Sequence, residues 1–187
     1  RSDGSCAVRN VGRSLNRMRS PSANLKRRLS GYWKMDAGNV VILPVFLFFV
    51  AKMNLSWVSI AGIVPMMLLL VIGAVYWRAK LKQLESRSSP FTATMGVISR
   101  LQAPAMLLTV LGLGALLFGW LRPEHFSGER DRWVATFAAI MALLEYINYY
   151  HRQLQHFDHG PDFRRLLAGK GLKASQMAKD LKTYREA

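Results

Sequence analysis

WVSIAGIVPMMLLLVIGAVYW, residues 57–77, runs for 21 positions without a charged side chain. As a helix it rises about 30 Å, the thickness of a bilayer's hydrocarbon core. It has neither the alternation of a half-buried strand nor the polar face of a soluble amphipathic helix. The segment therefore predicts a transmembrane helix. Pro65 lies inside it, a residue that lipid-embedded helices tolerate where neighbouring groups satisfy the freed carbonyl.

Three more apolar blocks flank it. Residues 37–51, AGNVVILPVFLFFVA, precede it with only residues 53–56 and Lys52 between, which predicts a tight hairpin. Residues 101–121 and 133–150 form a second pair. The expected fold is all-α: an integral membrane four-helix bundle made of two transmembrane hairpins. The five tryptophans, Trp33, Trp57, Trp77, Trp120 and Trp133, fall at the span ends, where an amphipathic ring matches the headgroup region; Tyr76, Tyr149 and Tyr150 extend that interfacial belt.

Charge supplies orientation. Of 26 Lys and Arg residues, 22 lie in residues 1–36, 78–102 and 151–187, and four lie at Lys52, Arg122, Arg130 and Arg132. The positive-inside rule then places both termini in the cytoplasm, a bacterial inner membrane being the expected location and an organellar membrane the alternative. A net charge of +15 points to anionic lipid headgroups, which reward juxtamembrane cations, rather than to nucleic acid. The chain divides into a basic, disordered N-terminal arm (1–34), a membrane domain (35–151) and a cytoplasmic helical tail (152–187). Arg- and Ser-rich composition in residues 1–30 also suits a transit peptide. In the tail, the fourth helix is expected to continue through HRQLQHFD to Gly160, and a last helix near residues 174–185 carries Met177 and Leu181 on one side.

Small residues mark expected helix contacts. Ala135, Ala138, Ala139 and Ala142 in the fourth span face Gly112, Ala115 and Gly119 in the third if these two pack as a close hairpin, because tight approach in lipid depends on small side chains.

Glu145 is the ionisable residue deepest in the apolar blocks, about 18 Å along its helix from Trp133. An intramembrane carboxylate is expensive and marks either a structural clamp or a proton or substrate site. Asn148, three residues on, shares its face, and His151 follows; Arg100 and Arg78 are the expected ion-pair partners. His156 and His159 share a helix face and form a weak metal candidate without further ligands. One cysteine, Cys6, excludes an internal disulfide, and no phosphate-binding loop or nucleophile elbow is present, so no cofactor is expected. These features favour an accessory or structural membrane subunit that associates with a protein partner, lipid or a second copy. The rival is a small membrane enzyme or proton-coupled transporter using Glu145.

Overall fold

A computed structural model describes residues 21–85, 90–152, 154 and 173–186. Among them are five α-helices: α1 (Pro21–Val50), α2 (Trp57–Glu85), α3 (Phe91–Leu121), α4 (Glu129–Tyr150) and α5 (Gln176–Glu186). A 3-10 turn, Pro123–His125, joins α3 to α4. The helices pack as a bundle. Leu29–Val50 of α1, together with α2 and α3, are long and apolar enough to cross a membrane. The fourth expected span is a 22-residue helix, about 33 Å long, whose apolar run is diluted by Glu145, Asn148 and three tyrosines near its end.

Two expectations about helix extent change. Residues 21–34, assigned to the disordered arm, are helical and continuous with α1. Conversely, α4 stops at Tyr150 instead of running on through residue 158: His151 leaves helical geometry, Arg152 N–H turns back to the Ile147 carbonyl at 2.8 Å, and Arg152 bridges to Ala174.

The α1–α2 corner shows how local chemistry ends one helix and begins the next. Lys52 and Met53 both adopt positive φ (52° and 63°), and the Met53 N–H closes on the Phe48 carbonyl at 2.9 Å. This left-handed ending satisfies carbonyls that the last helical turn leaves open. Ser56 then caps α2, its hydroxyl oxygen accepting from Ser59 N–H at 3.3 Å.

At the same end of the bundle, Asp131 is only 2% exposed, although its position in a short polar connection suggested solvent. Its carboxylate accepts from Ser56 N–H (3.2 Å), Ser127 N–H (3.0 Å) and the Ser59 hydroxyl. One side chain in the first turn of α4 thereby fixes the start of α2 as well. Gly128 just before α4 has φ +151°, a conformation that favours glycine.

Packing differs from the expected pairing. α2 is the central helix and makes the extensive contacts with α1, α3 and α4, whereas α3 and α4 touch each other less. The alanine stripe of α4 lies on α2: a Cβ at Gly62 would stand 3.1 Å from Ala139 N, 3.3 Å from the Ala135 carbonyl and 3.4 Å from the Ala138 Cβ. Gly112 of α3 also faces α2, at the Ala61 carbonyl, while Gly119 makes room for Phe126 and Val58 and Ala115 is half-buried. The small residues do mediate close approach, the alanine stripe of α4 and Gly112 of α3 each meeting α2. Ala142 is buried with them.

Tryptophans occupy both ends of the bundle. Trp57, Trp120 and Trp133 are exposed at one end, with Trp120 and Trp133 in edge contact at 6.1 Å. Trp33 and Trp77 are half-buried at the other. Tyr76, Tyr149 and Tyr150, expected in the interfacial belt, are 0%, 5% and 5% exposed, with their rings packed into the core near the basic end. The apolar face of α1 (Val41, Ile42, Val45, Phe46 and Phe49) is exposed, as a lipid-facing surface requires.

Candidate functional site

The buried polar groups at the basic end of the bundle gather around Gly73 of α2. Tyr149 of α4 reaches across toward α1 and donates its hydroxyl to Asp36 Oδ2 at 3.3 Å. This crossing passes directly over Gly73: a Cβ there would collide with the Tyr149 hydroxyl oxygen and lie 2.9 Å from Asp36 Oδ2. Glycine is required by that close approach, since any side chain would occupy the place of the hydroxyl.

Glu145, one turn before Tyr149, completes the group. Asn148 and Tyr149 are its hydrogen-bonding neighbours, and Asp36 lies close enough for the two carboxylates to sense each other. Glu145 Oε2 is buried without a hydrogen-bond partner. The Asn148 amide oxygen is also engaged by Leu154 N–H at 2.9 Å, which ties the end of α4 to the chain beyond it. A tyrosine hydroxyl has one proton to give, so Tyr149 satisfies one of the two carboxylates at a time.

The expected ion pairs do not form. Arg78 is exposed and lies over the Trp33 ring, 5.7 Å from its centroid, and Arg100 is exposed on α3. Neither arginine reaches the carboxylates, whose polar neighbours are Tyr149 and Asn148. His151 is exposed, with its ring 5.5 Å from that of Tyr146. His156 and His159 lie outside the described residues. Among the described residues no group of three His, Cys, Asp or Glu side chains is placed to hold a metal ion.

A second polar contact docks the tail. Tyr76 donates its hydroxyl to Asp180 Oδ2 at 2.7 Å, and Lys80 pairs with the same oxygen at 2.7 Å. Ser175 caps α5, accepting from Ala178 N–H at 2.9 Å while its own hydroxyl donates to the Tyr149 carbonyl. Met177 and Leu181, one turn apart, are 2% and 3% exposed against the bundle. The amphipathic pattern of the tail thus reports a docked helix.

Between these two contacts lies a cavity of about 70 Å³. Its walls come from Tyr32, Met35 and Asp36 of α1, Tyr76 and Trp77 of α2, Asn148 and Tyr149 of α4, and Ser175, Gln176 and Met177. That volume corresponds to roughly two or three water-sized groups.

Asp36 was not singled out in the sequence, because it follows Lys34 and Met35 just beyond the tryptophan that marks the membrane boundary. Its signal was helical spacing: three residues beyond Trp33, it falls almost one turn further into the span. No protein-family model matches the chain, and comparisons with curated proteins and with solved structures likewise give no significant match.

Proposed function

We propose that this chain is a polytopic membrane protein with four membrane-crossing helices, both ends at the cytoplasmic face of a bacterial inner membrane, serving as an accessory or structural subunit. The observation that carries the reading is the use made of the buried polar groups. Asp36 and Tyr149 tie α1 to α4, Asp131 ties α4 to the start of α2, and Tyr76 with Lys80 ties α2 to α5. Each contact joins separate helices, which is the work of a scaffold. α4 counts as the fourth span in this reading because its alanine face is buried on α2, alongside helices that are themselves long enough to cross. Its charged first turn lies at the opposite end, and beyond it Glu145, Asn148 and the tyrosines cluster toward the basic end, where the interface begins. The exposed apolar face of α1 and the basic ends suit contact with lipid and with a neighbouring membrane protein or a second copy.

Topology and association are tested separately. Cys6, the single cysteine, is expected to resist an impermeant maleimide applied to intact cells and to react after permeabilisation. A cysteine placed at exposed Glu124 in a Cys6→Ser background reacts without permeabilisation; the reverse pattern refutes the topology. Association is measured by native electrophoresis after mild detergent extraction at native expression, where a complex larger than one chain is expected and a monomer alone counts against the accessory role. The rival, chemistry at Glu145, predicts that Glu145→Gln leaves abundance and assembly intact while abolishing a cellular phenotype. The clamp reading predicts reduced assembly in the same variant.

A further inference from the structure

We propose that the cavity between α1, α2, α4 and the start of α5 binds a primary ammonium group, supplied either by an ethanolamine lipid headgroup or by a free alkylamine. Asp36 is 6% exposed, lines the cavity, and among the described residues makes one hydrogen bond, through Oδ2, so that Oδ1 has acceptor capacity for an occupant. A buried carboxylate with most of its acceptor capacity unused calls for a cationic donor. Among the described residues, the two α2 cations that flank the cavity are engaged elsewhere: Lys80 pairs with Asp180, and Arg78 lies over Trp33. Glu145, the neighbouring carboxyl, is a further acceptor and supplies no cation.

The remaining walls define which cation fits. Tyr149 gives its hydroxyl proton to Asp36 and Tyr76 gives its own to Asp180, so the phenol oxygens of these two lining residues keep acceptor capacity. Together with Asp36 Oδ1 they offer three acceptors, matching the three N–H donors of a primary ammonium. Tyr32 and Trp77, whose rings stand 5.3 Å apart, supply aromatic surface attractive to a cation. A quaternary ammonium has no N–H donor to offer these acceptors.

The test uses the full-length protein purified in detergent and in nanodiscs. Ethanolamine is expected to raise the midpoint of thermal unfolding, while choline at equal ionic strength has no comparable effect. Asp36→Asn is expected to weaken the response at least about tenfold in apparent affinity. Met35→Lys, at a partly exposed cavity wall, places an ammonium on the chain itself and is expected to abolish the response to added amine without loss of fold. Native mass spectrometry in nanodiscs separates the two sources. Selective retention of phosphatidylethanolamine over phosphatidylcholine, competed by ethanolamine, identifies the headgroup; an ethanolamine response without lipid preference identifies a free amine. If ethanolamine and choline act alike and both lipids are retained equally, the proposal is overturned. A Met35→Lys protein that responds like wild type overturns it as well. Neither outcome depends on the accessory role.

Discussion

Replacing Gly112 with alanine tests the central position of α2 most directly. A Cβ at Gly112 would stand 2.7 Å from the Ala61 carbonyl oxygen and 3.4 Å from Pro65 Cγ. The first distance falls about 0.7 Å short of ordinary contact, and the obstructing atom belongs to the backbone of another helix, so no rotamer change relieves it. Either α2 and α3 separate locally or the α3 backbone shifts, and such overpacking costs typically about 1–3 kcal/mol. Alanine also favours a helix over glycine by roughly 1 kcal/mol, which offsets part of that cost. Gly114, two residues on, is exposed with nothing within 4 Å of an added Cβ, so Gly114→Ala carries the helix preference alone. The difference between the two variants therefore isolates the clash, at about 2 kcal/mol, or roughly a thirtyfold change in the folding equilibrium. Reversible unfolding in mixed micelles, titrated with a denaturing detergent and followed by tryptophan fluorescence, measures both variants on one scale. Equal stability of Gly112→Ala and Gly114→Ala would refute close packing of α3 on α2 at Ala61.

Three further outcomes follow from the polar contacts. Asp131→Ala removes the acceptor shared by Ser56, Ser59 and Ser127, and a loss of about 2–4 kcal/mol is expected in the same unfolding titration, since two backbone N–H groups lose their partner; a loss below about 0.5 kcal/mol contradicts the burial of that knot. Tyr149→Phe keeps the ring over Gly73 and deletes the bond to Asp36, at an expected cost of about 1–2 kcal/mol with the far-UV circular dichroism unchanged. Asp180→Asn weakens the Lys80 ion pair and is expected to expose the α5 region to protease several times faster in inverted vesicles; unchanged cleavage indicates that Met177 and Leu181 hold the helix unaided.

The helices were legible because their signal is one-dimensional. An uncharged run such as residues 57–77 needs no knowledge of its neighbours, and the Lys52 break lies within a few residues of it. What remained hidden was lateral. The alanine stripe of α4 announces that a backbone comes close, but the stripe contains nothing to distinguish α2 from α3. Asp131 reads as one charge among Glu124, Glu129 and Arg132, because its acceptors' partners, Ser56 and Ser59, lie more than 70 positions away. Tyr149 and Tyr150 illustrate an ambiguity of residue type: an amphipathic ring suits the headgroup region and suits a core site with a hydrogen-bond partner equally well. Glu145 was identified by its charge in an apolar run, whereas its neighbour Asp36, on another helix, required the three-dimensional arrangement.

The placement of α2 also constrains how the molecule is made. When α1 and α2 have left the ribosome, the face of α2 bearing Ser59, Gly62 and Gly73 has no occupant, because the segment that covers it is synthesised last among the long helices. Until α4 arrives, that polar-spotted groove is open to lipid tails or to whatever insertion machinery is at hand. A nascent chain stalled after residue 121 would therefore present a vacant seat for an alanine-faced helix, and a separately supplied α4 segment would be a natural agent to complete it.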